Sequence, residues 1–185
     1  MNNKSRFWYR LVSLLPDGPW IWRLKASQLE SKGEYKDGKQ HGPWEMYYES
    51  GQLKIKGNSR AGRPEGPFER YYDSGRLEER SIYRNGEYNG PFEKFHPNGQ
   101  LKEKGTYARS RLHGLSQLDD FLEAYYENGQ LQKKGRYLDG QEEGSWEFYY
   151  DNGTLGKREN YKDGLLDGLW EYFDENGQLK EQRHY

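Results

Sequence analysis

A leucine recurs along this chain with an almost constant period. The steps between successive copies are 24, 24, 24, 30, 24 and 24 residues, for the leucines Leu29, Leu53, Leu77, Leu101, Leu131, Leu155 and Leu179. Asn-Gly or Ser-Gly precedes most of them, from Ser50-Gly51 to Asn176-Gly177. A fixed period in this range is typical of one small supersecondary unit copied in tandem. The sequence therefore predicts a repeat protein, an architecture that offers long binding surfaces more often than a catalytic pocket.

The composition points to an ordered but thin structure. Hydrophobic residues make up 32% of the chain and charged residues 32%, a mixture that by itself favours disorder. The 17 Tyr, 7 Phe and 6 Trp are too many for a typical disordered chain. A net charge of −1 provides no overall field for nucleic acid or an anionic membrane, so we expect neither as a partner. With no cysteine there is no disulfide or thiolate chemistry, which fits a cytoplasmic location.

Two turn signals divide each repeat into two strands. In the copy from Gly33 to Lys56 they are Asp37-Gly38 and Ser50-Gly51. Such pairs between short aromatic runs favour two-residue hairpin turns, because these turns need a positive φ at both positions. We therefore predict an all-β fold, an elongated, twisted single-layer antiparallel β-meander. About seven 24-residue hairpins fill residues 16–185, and the first copy, from Gly18 to Leu29, is degenerate.

A two-residue loop at Ser50-Gly51 also predicts the strand register. It places Tyr48 opposite Leu53 and Trp44 opposite Gly57. It also pairs opposite charges, each worth up to about 1 kcal/mol, in five copies: Glu45 with Lys56, Glu69 with Arg80, Glu93 with Lys104, Glu123 with Lys134, and Glu147 with Arg158. Five agreeing copies specify the register more than they stabilise the fold.

This register separates two faces of the sheet. One face carries the large aromatic residues Trp44, Phe68, Phe92, Trp146 and Trp170, together with the leucines. The other carries the charged pairs and a second aromatic file: Tyr47, Tyr71, Phe95, Tyr125, Tyr149 and Phe173. The file either stabilises the sheet, since aromatic residues favour strands, or binds a protein partner. The residues alone leave both interpretations open.

The 30-residue step indicates an insertion, which we place at residues 115–121, with the strand resuming at Leu122. Leu118 and Phe121 in this segment are apolar, and Asp119 and Asp120 are acidic. Insertions in repeat proteins form loops, often on the binding side. The segment is either a loop packed back on the sheet or a contact loop for a basic partner, and 115–122 is also a candidate for a short helix.

The first 15 residues form a separate segment in this interpretation. Their apolar side chains recur at helical spacing, in Phe7, Trp8, Leu11, Leu14 and Leu15, with Pro16 as the stop. The segment is far shorter than the roughly 20 apolar residues of a membrane span. The spacing therefore predicts a short helix over residues 1–15 that caps the first repeat.

Residues with catalytic or metal-binding potential show no concentrated pattern. His41 and His113 share a repeat position about three repeats apart, too far to hold one metal, and His96 and His184 fall elsewhere. The glycines occupy turn positions at fixed offsets and do not form a phosphate-binding loop. The sequence predicts no catalytic residue, no metal site and no cofactor, and hence no enzyme.

The repeat has a recognisable consensus. The pattern G-x-Y-x-[DN]-G-x-x-x-G-P-[WF]-E-x-[YF]-[YH]-x-[NS]-G-x-L is present at 33–53 and recurs with losses at 57–77, 81–101, 135–155 and 159–179. It resembles the MORN-repeat variant of bacterial proteins, including the YwqK-type antitoxin family. The resemblance implies a twisted antiparallel sheet with an open groove.

The same resemblance implies a function. It predicts a non-enzymatic immunity protein that binds and occludes a cognate toxin, with the second aromatic file and residues 118–121 as contacts. A MORN-repeat scaffold or membrane-associated structural protein is the alternative, and an accessory domain of an enzyme is a more distant one.

Overall fold

A computed structural model describes the backbone of residues 17–24, 28–109 and 116–185. The predicted capping helix lies outside the described residues. Every regular element of the described chain is a β-strand, so the helix considered for 115–122 is wrong where the chain is described. The prediction of an all-β fold built from antiparallel hairpins is confirmed.

The chain forms two compact units, one of residues up to 77 with 82–87, the other of residues 78–81 with 88–185. In the first unit each strand pairs antiparallel with the next, in the order β1 (Gly18–Leu24), β2 (Gln28–Lys36), β3 (Lys39–Tyr47), β4 (Leu53–Arg60) and β5 (Arg63–Tyr71). The division between the units falls within β6 (Leu77–Arg84) and β7 (Glu87–Tyr88).

The second unit is also an antiparallel meander. Its strands are β8 (Gly90–Phe95), β9 (Leu101–Arg109), β10 (Ser116–Leu118), β11 (Asp120–Tyr125), β12 (Leu131–Leu138), β13 (Gln141–Tyr149), β14 (Leu155–Lys162), β15 (Leu165–Leu166), β16 (Leu169–Phe173) and β17 (Leu179–His184). Neighbouring strands pair antiparallel, and β9 and β14 each pair with two short successive strands.

The turn at Asp37-Gly38, the first turn of its repeat, has the predicted form. Asp37 has a φ of 51° and Gly38 a φ of 68°, and Lys36 pairs with Lys39. Positive φ at both central residues identifies a two-residue type I′ turn, whose twist matches that of the flanking strands. Asp-Gly therefore closes this end of the hairpin as the sequence predicts.

The second turn is longer than predicted. The Gly51 N–H donates to the Tyr48 carbonyl at 2.9 Å, and the Tyr48 N–H donates to the Gln52 carbonyl at 2.9 Å. Gly51 alone takes a left-handed φ, of 88°, which identifies a type I turn followed by a left-handed glycine. The predicted two-residue loop is wrong, and Leu53 pairs with Tyr47 instead of Tyr48.

A bulge beside this turn restores the predicted register. The ladder shifts by one residue between Met46 and Tyr47, which offsets the longer loop. All predicted charge pairs whose members share a unit are confirmed as backbone partners: Glu45 with Lys56, Glu93 with Lys104, Glu123 with Lys134, and Glu147 with Arg158. Trp44 lies opposite Gly57, also as predicted.

The predicted loop at 115–121 is wrong for residues 116–121, which belong to β10 and β11 apart from the link at Asp119. Asp120 falls 24 residues before Gly144 and has a matching φ, 71° against 70°. The repeat pattern is therefore already restored at Asp120. The residues that lengthen this step from 24 to 30 lie before Ser116 in the sequence. The sequence concealed this restored pattern because Asp120 replaces a glycine and Phe121 replaces a proline of other copies.

The core of the second unit lies on the face of the large aromatic residues. Phe92, Leu122 and Trp146 are each 2% exposed, and partly buried tyrosines, among them Tyr107 and Tyr137, pack against them. The Trp146 indole Nε1 donates to the Arg136 carbonyl at 3.1 Å, which satisfies its polar atom. The aromatic face around Phe92, Leu122 and Trp146 is thus occupied by its own packing, whereas Tyr172 beside Trp170 remains 40% exposed.

Candidate functional site: the ladder face

The opposite face carries a repeated cluster of three side chains, and we call it the ladder face. In the first full copy Lys32 Nζ lies 2.7 Å from Glu45 Oε2, and the Tyr47 hydroxyl donates to the same carboxylate. Lys32 Nζ is also 5.9 Å from the centre of the Tyr47 ring. The tyrosine thus contacts both members of the ion pair.

The cluster recurs along both units. Its ion pairs are Lys56–Glu69 at 2.7 Å, Lys104–Glu123 at 2.8 Å and Lys134–Glu147 at 2.8 Å, with Tyr71, Tyr125 and Tyr149 as the tyrosines. Arg80 pairs with Glu93, and its guanidinium lies 6.0 Å from the Phe95 ring. The predicted file therefore forms part of a network, in which Tyr47 and its equivalents donate hydrogen bonds.

The ion pairs involve the cation of the preceding strand. Glu45 has Lys32 and Lys56 as backbone partners on its two sides, and its salt bridge goes to Lys32. The sequence did not predict this choice, because the same period places a cation on each side of the five glutamates Glu45, Glu69, Glu93, Glu123 and Glu147. Glu147 contacts both its cations, Lys134 at 2.8 Å and Arg158 at 3.4 Å.

The network favours the charged form of Glu123. Hydrogen bonds from Lys104 and Tyr125 hold the pKa of Glu123 below its ordinary value of 4.5. The hydrogen bond to Glu123 in turn raises the pKa of Lys104. Burial, followed by the bond to Glu123, raises the pKa of Tyr125, so its hydroxyl stays a neutral donor at physiological pH.

A second set of tyrosines fixes the file to the next repeat. The Tyr48 hydroxyl donates to the Tyr71 carbonyl at 2.7 Å, and the Tyr126 hydroxyl donates to the Tyr149 carbonyl at 2.8 Å. His96 takes this position in its copy, with Nε2 2.9 Å from the Tyr125 carbonyl. This role was not predicted, although the recurring Tyr-Tyr pair is its signal in the sequence.

The structure brings part of residues 118–121 to the ladder face. Leu118 packs against the buried aromatic cluster on the other face. Phe121 lies opposite Arg136 and is 67% exposed. Because side chains alternate along a strand and Leu122 is buried, Phe121 shares the ladder face with Glu123.

The two acidic residues differ in setting. The Asp119 N–H donates to the Thr106 carbonyl at 3.0 Å, which continues the ladder of β9, whereas Asp120 is exposed. Neither aspartate forms a salt bridge within the part of the chain that the structure describes. Their carboxylates therefore remain available to a cationic partner.

Neither a metal site nor a membrane-spanning helix is found within the described ranges. No three histidine or acidic side chains there are close enough together to hold a metal ion. No helix there is long and apolar enough to cross a membrane. For the residues that are described, the ladder face is thus the surface with a repeated, organised chemistry.

Comparison with known proteins places the chain in a family. The family model described as MORN repeat variant matches residues 40–60, 64–85, 88–108, 122–139, 142–163 and 166–185. A search of curated protein sequences finds no match. The family matches cover well over half of the chain and coincide with the hairpins. The chain therefore belongs to the MORN repeat variant family.

Proposed function

We propose that this repeat protein is a non-enzymatic immunity protein of the cytoplasm that binds a cognate toxin and occludes its active site. The resemblance of its repeat to bacterial antitoxins supports the role. The observation that carries the proposal is the asymmetry of the two faces. In the second unit, Phe92, Leu122 and Trp146 on the aromatic face are each 2% exposed, whereas Lys104 and Lys134 on the ladder face are 44% and 46% exposed, which favours the ladder face for a partner.

The ladder face is organised before any partner arrives. The Tyr149 hydroxyl is held by Glu147 at 2.6 Å, and the Tyr149 carbonyl is held by Tyr126. Side chains that are already fixed lose little conformational entropy on binding, and aromatic rings supply large contact areas for few torsions. These properties suit a surface that must hold a toxin without turning it over.

The repeated ion pairs are poor determinants of specificity. Each glutamate of the ladder is matched by a cation, so the network presents little net charge, and exposed pairs contribute about 0.2–1 kcal/mol each. Phe121 and Asp120 differ from the repeat and are exposed on or beside the same face. They are the residues through which we expect a basic, partly apolar surface of the toxin to be recognised.

A membrane-associated scaffold has less support. Attachment to an anionic bilayer favours clusters of several Lys or Arg residues. On the ladder face Lys104 and Lys134 are separated by Glu123, and both have acidic partners. The repeat scaffold itself is common to both proposals, and only the partner differs.

Co-expression tests the proposal directly. The chain is produced in cells together with the protein encoded by the open reading frame next to its gene, and survival is measured. We expect protection by the natural chain and at least a ten-fold loss of survival with Phe121→Ser or Asp120→Asn. The asparagine variant removes the charge and still accepts the left-handed backbone of Asp120.

The matched control is Leu179→Ser, an exposed leucine on the last strand of the same unit. Full protection by Phe121→Ser and Asp120→Asn would remove this segment from the interface. Absence of any protection by the natural chain, with both proteins shown to be produced, would overturn the immunity role.

A further inference from the structure

The first unit contains two neighbouring clefts that follow the repeat. One has a volume of about 330 Å³ and is lined by Pro19, Trp20, Ile21, Lys32, Gly33, Glu34, Pro43, Trp44 and Glu45. The next has a volume of about 200 Å³ and is lined by Pro43, Trp44, Glu45, Lys56, Gly57, Asn58, Pro67 and Glu69. Equivalent residues one repeat apart line both clefts, so the two form a periodic pair.

Both clefts open on the ladder face. Ile21 pairs with Lys32, and Lys32 pairs with Glu45, so these side chains share one face of the sheet. Because successive side chains of a strand point to opposite faces, the Trp44 side chain lies on the other face. Trp44 and Gly33 therefore line the first cleft through their backbone atoms. The walls are therefore prolyl rings, Ile21 and the aliphatic stems of the lysines.

The spacing of the clefts selects the conformation of a ligand. One repeat is two strands, so adjacent clefts lie about 9.6 Å apart across the sheet. A polyproline II helix returns to the same face every three residues, about 9.3 Å. An extended strand returns to the same face every two residues, at about 6.8 or 13.6 Å, and so does not match the single step of about 9.6 Å between the two clefts.

The charges of the first cleft indicate which residues a peptide ligand should contain. Glu45 is neutralised by Lys32 at 2.7 Å. Glu34 is exposed and forms no salt bridge with the residues that the structure describes. A cationic residue next to the first proline of a ligand would pair with this carboxylate.

From this geometry we infer that the two clefts bind a proline-rich segment of a partner protein, in the polyproline II conformation, with prolines three residues apart and an adjacent Arg or Lys. The inference rests on the proposed use of the ladder face for binding, and it assigns the first unit its own kind of ligand. A preformed polyproline II helix loses little entropy when it docks, so shallow clefts such as these suffice.

Calorimetric titration of the whole chain tests the inference. The probe is a synthetic peptide of four Pro-Ala-Arg triplets. The control peptide has the same composition with its prolines at alternate positions, so that no two are three residues apart. We expect saturable binding of the first peptide and at least ten-fold weaker binding of the control.

Two substitutions locate the site. Ile21 is 59% exposed, so Ile21→Ser should leave the fold intact while it removes one wall. This variant and Glu34→Gln should each weaken binding at least three-fold, whereas Glu175→Gln, at an exposed turn of the second unit, should not. Unchanged binding by both cleft variants would overturn the assignment.

Equal binding of the two peptides, or no binding of either, would also overturn the inference. The proposed function is judged separately, because protection from the toxin is measured in cells with Phe121 and Asp120 variants. A chain that protects but binds neither peptide would refute the proline-rich ligand and leave the immunity role standing.

Discussion

Trp146 lies across the backbone of Gly135 so closely that a Cβ built on Gly135 would come 2.1 Å from the indole Cδ2. Trp44 covers a glycine of the following strand instead, Gly57, where the nearest approach is 3.1 Å. The large aromatic residue of one strand thus occupies the space of the missing side chain on the neighbouring strand, which is how the aromatic face reaches its close packing.

This contact predicts a graded effect of alanine at the two glycines. Gly135→Ala should cost about 3 kcal/mol, because the backbone and a buried ring must separate. Gly57→Ala should cost less, because its neighbours must move by only a few tenths of an ångström. A melting temperature measured for each variant checks the order, with about 2–4 °C expected per kcal/mol in a chain of this size. Equal shifts would contradict the account.

Asp120 provides a test of backbone strain. Its φ of 71° falls where Gly144 stands one repeat later, and a left-handed residue with a Cβ costs roughly 1–2 kcal/mol. Asp120→Gly should therefore equal or exceed the stability of the natural chain, and Asp120→Ala should fall below it. Urea unfolding measures both. A more stable alanine variant would show that the residue has relaxed to another conformation.

The Lys104–Glu123 pair predicts a dependence on acid. Because the pKa of Glu123 in the folded chain is lowered, the pair stabilises the fold above pH 4.5, and this contribution disappears as the pH falls through the lowered value. Both side chains are partly exposed, so we expect about 1 kcal/mol or less. Melting temperatures of the natural chain and Glu123→Gln should differ at pH 7 and converge near pH 3. A difference that persists in acid would assign the effect to packing.

The hydrogen bond from Tyr126 to the Tyr149 carbonyl predicts a local effect. Tyr126→Phe removes this 2.8 Å bond and leaves the ring, so it should cost about 1 kcal/mol. Tyr48→Phe removes the equivalent bond to Tyr71 and should cost a similar amount. Amide exchange should accelerate at the end of the strand that carries the acceptor carbonyl, which is β13 for Tyr126→Phe and β5 for Tyr48→Phe. Unchanged exchange would mean that water replaces the hydroxyl without loss.

The sequence by itself predicted the strands and much of their register. The 24-residue period, Asp37-Gly38 and the opposed charges of Glu45 and Lys56 all depend on interactions between neighbours in the chain, and such interactions leave a local pattern. The period also indicated which side chains share a face, including the file that begins at Tyr47. Because these interactions are local, the pattern could be recognised without knowledge of how the side chains pack.

The second turn and the insertion show where local pattern was insufficient. Ser50-Gly51 suits either a two-residue loop or a type I turn with a left-handed glycine, and only the pairing of Leu53 with Tyr47 distinguishes them. The bulge between Met46 and Tyr47 offsets the longer loop. The predicted pairing of Glu45 with Lys56 is therefore correct, although the predicted turn is not. The sequence did not show that the repeat pattern is restored at Asp120, because a left-handed backbone position can be filled by aspartate as well as by glycine.

Only the tertiary structure decided which carboxylate bonds which cation and which side chains are buried. The sequence places Lys32 and Lys56 on the two sides of Glu45 and favours neither. In the folded chain the Glu45 carboxylate accepts a hydrogen bond from Tyr47 and forms its salt bridge with Lys32. Burial of Trp146 depends on rings from several strands converging on one face. A repeat encodes what each strand presents, whereas close packing depends on how neighbouring strands bring their side chains together, a three-dimensional property that no single copy of the pattern contains.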